Sequence, residues 1–244
     1  MTEGLRRLEW PDCGNVRDVG GLPTEDGHRI RRGALVRSDD LGQLTPAGLA
    51  ALRGYGVRRV LDLRGTTEIE RIPSPLAGDP VYRWTPFIDE EADRDRDPAV
   101  EGTPIDTYLG SVERNARHIA AALAALAGAP PGGVVVHCAE GKDRTGILVA
   151  LALRVAGVPP AEIAADYAAS DERPAFRREL AGLADAAERD AFRDRHGCRP
   201  ATILAVVEYL EHRYGGVDRY LCRNGVTPDQ LAALRARLRE ESGP

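Results

Sequence analysis

The run Val134-Val135-Val136 is apolar at every position, the pattern of a strand in the middle of a sheet whose two faces are both covered. Further apolar runs predict a buried strand over 57–63 and shorter strands over 34–37 and 81–85. Asp26-Gly27, set between short extended pieces, reads as a hairpin turn. Between the strands the spacing becomes helical. Thr45-Pro46 supplies an N-cap and a proline at the first helical position, so a helix runs to 53 and stops at Gly54 and Gly56. Ile105, Leu109, Val112, Ile119, Leu123 and Leu126 recur as one face of a single helix over 104–126, ended by Pro130-Pro131-Gly132-Gly133. Further helices are predicted over 145–156, 160–169, 202–214 and 228–240, the last opened by the capping box Thr227-Pro228-Asp229-Gln230. The charged stretch 171–195 is also helical, and the polar run 89–97 is expected to be a solvated, mobile loop.

Strands alternate with helices over the first two-thirds and helices fill the rest, so the predicted architecture is α/β, a twisted central sheet flanked by helices. A length of 244 residues suits one large α/β domain or one with an inserted cap, and would crowd two. With 43% hydrophobic residues the chain can bury a core, which sets it apart from disordered and fibrous classes. Its net charge of −5 argues against a general nucleic-acid binder. The longest apolar stretch, 147–158, is broken by Arg154 and too short to cross a bilayer. Residues 1–12 lack the apolar segment of a signal peptide, so the default location is cytoplasmic, with signal-less secretion left open.

The four cysteines, Cys13, Cys138, Cys198 and Cys222, are far apart and form no C-x-x-C pair, so reduced thiols are expected. His196-Gly197-Cys198 has no second ligand pair at zinc-site spacing, and no metal or other cofactor is expected. Lys142 is the sole lysine beside 32 arginines, and it falls inside the segment that carries the chemistry.

That segment is His137-Cys138-Ala139-Glu140-Gly141-Lys142-Asp143-Arg144-Thr145-Gly146, joining the Val134-Val135-Val136 strand to a helix. Five residues between Cys138 and Arg144 let the loop curl until its N–H groups converge, and such a nest at a helix N-terminus holds a tetrahedral dianion. Arg144 adds a planar guanidinium that grips two phosphate oxygens. Cys138 in the same positive potential should ionise well below the free thiol value of about 8.5 and attack phosphorus as thiolate, giving a phosphocysteine that water then hydrolyses without a metal. In so arginine-rich a chain the bare Cys-x5-Arg spacing says little by itself. The preceding strand, Gly141 at the turn and Thr145-Gly146 opening the helix make it specific.

The segment resembles the His-Cys-x-x-Gly-Lys-Asp-Arg-Thr-Gly signature of a bacterial tyrosine-protein phosphatase family that has a lid-bearing mycobacterial member. Asn15-Val16-Arg17-Asp18-Val19-Gly20-Gly21, Arg37-Ser38, Leu44-Thr45, Asp62-Leu63-Arg64 followed by Glu68, and the Tyr214-Gly215 and Tyr220-Leu221 pairs also resemble that family in order and spacing. The resemblance implies a cysteine-phosphatase-like single domain over 1–244 with a helical lid at 171–200, after the phosphate loop. It implies Cys138 as nucleophile, Arg144 as phosphate clamp and Asp143 as general acid, with Ala139, Glu140, Gly141, Lys142 and Thr145 binding substrate. Family members act on phosphotyrosine, some also on phosphoserine or phosphoinositides. Glu140 departs from the small or apolar residue usual there, and facing the mouth it would repel highly anionic substrates.

Several roles stay open at this level. Asp143 could instead orient Lys142 or Arg144, and Asp89, on a loop after a strand, is the rival acid. Lys142 is a second phosphate contact or a solvated side chain, and Thr145 serves the leaving thiolate or caps the helix. His137 is expected to tune Cys138 through hydrogen bonds. Asp62, Arg64 and Arg17 either order the site or form ion pairs beneath the sheet. Trp10-Pro11-Asp12, which spells the acid loop of another phosphatase branch, is read as coincidence. The expected substrate is a phosphorylated protein, with a small phosphorylated metabolite as the alternative partner. A sulfurtransferase and a phosphate-binding module without turnover are the more distant readings.

Overall fold

The computed structural model describes residues 6–97 and 99–240. Its sheet runs β1 (Arg6–Arg7), β2 (Arg17–Asp18), β3 (Leu35–Ser38), β4 (Val57–Asp62), β5 (Tyr82–Trp84) and β6 (Gly133–His137) in chain order, and β1-β2-β3-β6-β4-β5 in space. β3, β6, β4 and β5 are parallel, and the short β1 and β2 continue antiparallel from the edge at β3. β6 therefore lies inside the sheet, as its unbroken apolar run requires. Val134 and Val136 point into one core with Leu35, Leu61 and Leu148, while Val135 points into a second with Trp10, Val36, Val60 and Leu52. Each of these side chains is almost fully buried and contributes about 1.5–3 kcal/mol.

The helices are α1 (Pro46–Gly54), α2 (Thr66–Arg71), α3 (Pro104–Arg114), α4 (Ala116–Ala127), α5 (Asp143–Val155), α6 (Pro160–Ala168), α7 (Pro174–Gly182), α8 (Ala186–His196), α9 (Pro200–Tyr214), α10 (Val217–Arg223) and α11 (Pro228–Leu238). The expected caps form: Thr45 accepts from the Gly48 N–H, and Thr227 with Gln230 closes its capping box. The hairpin turn forms at Gly27, with φ of +87°. The single helix expected over 104–126 is instead two, α3 and α4. They part at Asn115, a fully buried side chain that donates to the Ser111 carbonyl at 2.9 Å and accepts from the Asp89 N–H at 2.7 Å. The apolar period carries across this break because α3 packs on α9 and α4 on α11. The 89–97 run contains a 3-10 turn over Ala92–Asp95. Among the described residues no helix is long and apolar enough to cross a membrane.

Parallel order puts the C-terminal ends of β3, β6 and β4 side by side, with Ser38, His137 and Asp62 in register. The crevice beyond those ends is where parallel α/β sheets bind ligands, and the loop from Cys138 to Lys142 crosses it. A buried ionic cluster braces that loop. Asp166 of α6 receives Arg17 Nε at 2.9 Å and Arg37 Nη1 at 2.5 Å, and Ser170 accepts from both guanidiniums. Burial opposes the Asp166 charge, but Arg17 and Arg37 more than offset this and hold its carboxyl below the usual carboxylate range.

Removing Asp166 strands two buried cations, so Asp166→Ala should destabilise the fold by about 3–5 kcal/mol in urea titrations at pH 7. Because the folded carboxyl titrates below its unfolded value, its contribution is complete above about pH 4. It is lost as the pH falls through the lower folded value, so the gap between the unmodified protein and the variant should narrow in acid. A gap that does not narrow would show that the carboxylate charge is not what supports the cluster.

Candidate active site

The peptide from Cys138 to Lys142 turns sharply at Gly141, where φ is +64°. A Cβ there would stand 2.5 Å from the Ser38 carbonyl oxygen and 2.7 Å from the Asp39 nitrogen, so the loop can lie against the end of β3 only with glycine in place. Its carbonyls face the scaffold. Asp40 N–H donates to the Ala139 oxygen at 3.0 Å, Asn15 Nδ2 to those of Glu140 and Gly141 at 3.0 and 3.2 Å, and Arg37 Nη2 to that of Gly141 at 2.7 Å. The N–H groups of residues 139–143 donate to no protein acceptor among the described residues. A curl with outward carbonyls and free N–H groups, running into the N-terminus of α5, is an anion nest.

Cys138 directly follows β6 at the start of this curl and is 2% exposed. Arg144, in the first turn of α5, is held by Glu68 of α2 through two contacts, Nη1 to Oε2 at 2.5 Å and Nη2 to Oε1 at 2.8 Å. Burial weakens the Arg144 charge, yet Glu68 and the adjacent Cys138 outweigh this and raise its pKa. The Arg144 hydrogen bonds lower the Glu68 carboxyl in turn. The guanidinium is thus held in one orientation. Glu68 appeared in the sequence only as part of a pattern, with no sign that it would meet a residue 76 positions later.

Asp143 opens α5, and both of its side-chain contacts fall on Oδ1: the Tyr108 hydroxyl donates to it, and Lys142 Nζ lies 3.4 Å away. Asp143, Arg144 and Lys142 line one cavity of about 500 Å³, walled by Ile88, Tyr108, Ile147 and Tyr167. The structure thus brings Lys142 to the cavity, with only 8% of its surface exposed. Asp89 does not line it. Asp89 Oδ1 instead accepts from the N–H groups of Glu91 and Ala92, both at 3.1 Å, and these bonds, chiefly that of Ala92, hold its carboxyl low. Asp89 thus stands apart from the cavity that Asp143 and Arg144 line.

The Glu140 carboxylate is turned away from the Asp143 cavity. It faces Arg173 at 3.5 Å on a separate cavity of about 400 Å³, where Ala139, Phe176 and Phe192 also lie. At Ala139 and Glu140, what faces the nest is the backbone N–H groups. Thr145 is fully buried, and its Oγ1 has no hydrogen-bond partner among the described residues.

His137 is also fully buried, and its Nδ1 lies 3.3 Å from the Cys138 carbonyl oxygen, so its contact with Cys138 is through the backbone. Burial pushes its pKa down against the pull of Asp62, 3.6 Å from Nε2, which keeps the ring neutral. Asp62 and Arg64 pair beneath the loop at 2.7 Å, and Arg64 also reaches Asp40 and the Ile72 carbonyl. Arg17 donates to Asn15 as well as Asp166, so it braces the loop at one remove. Trp10 packs edge-on against Tyr55 in the second core, and Asp12 occupies a turn with φ of +67°. Cys198 is buried beside Arg173, its N–H donating to Asp171. Burial first, then Asp171, pushes its thiol up to about 12.

Sequence reasoning missed the structural use of Asp166, Tyr108 and Tyr167. Tyr108 does share a face with Val112, four residues on, but its hydroxyl partner could not be read from that spacing.

The sequence pattern of the tyrosine phosphatase family matches residues 8–240. The chain is 33% identical over 220 residues to the tyrosine-protein phosphatase of Nostoc commune, covering 84% of this chain and 74% of that one. It is 28% identical over 276 residues to the triple specificity protein phosphatase PtpB of Mycobacterium tuberculosis, covering 94% of this chain and 98% of that one. A match spanning nearly the whole chain, joined to a Cys138–Arg144 anion nest at the end of a buried parallel strand, places this chain in the tyrosine phosphatase family.

Proposed function

We propose that the chain hydrolyses phosphotyrosine in proteins through a phosphocysteine intermediate formed at Cys138. The observation that carries this reading is the loop itself: five residues with free N–H groups, the first three with carbonyls committed to the scaffold, following Cys138 and beside a preoriented Arg144. The phosphate dianion lies in the nest with two oxygens on Arg144, and this charge neutralisation is the largest service the site supplies to the transition state. The Cys138 thiolate attacks phosphorus as the bond to the leaving oxygen breaks, and Asp143 gives that oxygen its proton. Water then attacks the phosphocysteine, Asp143 takes a proton back, and phosphate and thiolate are released. The unpartnered Thr145 hydroxyl serves the departing thiolate, and Lys142 adds positive charge at the rim.

The apolar walls of the cavity, Ile88 and Ile147 with the two tyrosines, suit an aryl ring better than a short alkyl ester. Phosphotyrosine is therefore the preferred ester. In this reading α7 and α8 form the lid over the mouth. They pack on each other through Phe176 and Phe192, stacked at 5.3 Å, and Arg195 and Gly197 at the far end of α8 line the same cavity as Arg144.

Hydrolysis of an aryl phosphate in excess chelator tests the mechanism. Cys138→Ser should lose turnover by at least about 1000-fold while still binding vanadate, because the nest and Arg144 remain. Turnover that survives the serine change, or disappears with chelator in the unmodified protein, defeats the proposal. For Asp143→Asn, kcat/KM should fall about 100-fold on phenyl phosphate and far less on a dinitrophenyl ester, whose leaving group needs no proton in the step that kcat/KM reports. An equal loss on both esters removes Asp143 from the acid role.

A further inference from the structure

Tyr108 reaches from α3 to the first residue of α5, and its hydroxyl joins a chain of three side chains. Its oxygen lies 2.6 Å from that of Tyr167, and it donates onward to Oδ1 of Asp143. The ring is 6% exposed and meets Tyr167 edge-on, with centroids 6.1 Å apart and planes at 82°, so it has little freedom to move. Burial, reinforced by the neighbouring carboxylate, lifts the Tyr108 hydroxyl well above its ordinary value. It remains a neutral donor throughout the working range of the enzyme. Lys142 approaches the same oxygen of Asp143, which leaves Oδ2 without a protein partner among the described residues.

We infer that Tyr108 is a positioning residue for phosphoryl transfer, anchoring Oδ1 of Asp143 so that Oδ2 alone carries the proton exchanged with the leaving group and with water. The inference rests on the acid role proposed for Asp143. A carboxyl that accepts a hydrogen bond on one oxygen holds its own proton on the other. As the sulfur–phosphorus bond forms and the phosphorus–oxygen bond breaks, the Oδ2 proton passes to the leaving oxygen. When water attacks and the sulfur–phosphorus bond breaks, a proton from that water returns to Oδ2. Without the Tyr108 hydroxyl the carboxyl can turn about its side-chain bonds and present either oxygen, in either protonation geometry. The preorganisation of the proton is lost, while the nest, Cys138 and Arg144 are untouched.

Tyr108→Phe removes a single oxygen. Measured beside Asp143→Asn, it should lower kcat/KM on phenyl phosphate about tenfold, the effect of one lost orienting hydrogen bond, and change kcat/KM on 2,4-dinitrophenyl phosphate less than about twofold. Inhibition by vanadate should stay as in the unmodified protein. A merely structural tyrosine would instead slow both esters alike or weaken vanadate, and either result overturns the inference, as does no loss on either ester. The two readings separate cleanly. If Asp143→Asn discriminates between the esters and Tyr108→Phe does not, the Tyr108 role alone falls; if Asp143→Asn does not discriminate, the acid role falls with it. Should Tyr108→Phe not fold, Tyr167→Phe, which removes the donor behind Tyr108, must show the same leaving-group bias in smaller measure, and its absence overturns the proposal.

Discussion

A loop that holds a dianion with its N–H groups must point its carbonyls the other way, and those carbonyls need donors. Everything around Cys138 follows from that requirement. Asn15, Arg37 and the Asp40 N–H supply the donors from β2, β3 and their flanks, and the positive φ of Gly141 lets the chain come close enough to use them. A side chain at 141 would push the loop off Ser38, and an unanswered carbonyl in this buried setting would cost about 1–3 kcal/mol.

Using arginine as such a donor creates a second problem, because Arg37 is wholly buried and carries charge. Asp166 resolves it, shared between Arg37 and Arg17. One helix of the far layer is thereby tied to the back of the anion site, and the ionic cluster serves position more than net stability, as buried pairs commonly repay little beyond their own desolvation. On the open side the logic is reversed. Arg144 is left partly accessible and is oriented by Glu68, so its fork is set without being used up. Positive charge at the site is therefore divided between a cation that shapes the loop and a cation that is left open to the cavity.

Asp143 and Glu140 show how the same loop assigns opposite tasks to two carboxylates. Three residues apart on a curl, their side chains leave on different sides: Asp143 enters the cavity beside Arg144, and Glu140 meets Arg173 on the other. The Glu140 carboxylate, which would repel anions if it faced the Asp143 cavity, is instead answered by Arg173. Tyr108 and Tyr167 then distinguish the two oxygens of Asp143, a level of detail far below what residue type alone can convey.

The four parallel strands, the caps and the Cys138–Arg144 loop were legible from residue order, because each depends on neighbours within a few positions, whereas the two-residue β1 and β2 were not. Val134-Val135-Val136 could only be a doubly covered strand, Thr45-Pro46 and Thr227-Pro228 could only start helices, and Gly141 had to turn the loop. The helix over 104–126 was misread for the same reason: its apolar period is continuous, and the break comes from Asn115 bonding to the distant Asp89. Glu68 on Arg144, Asp166 between two arginines, and Tyr108 on Asp143 were likewise invisible, since each pairs residues between 35 and 149 positions apart. By itself the sequence determined the chemistry and the path of the loop that performs it. Which carboxylate enters the cavity beside Arg144, and which groups hold it there, was decided only when packing of the helices on the sheet closed those distances.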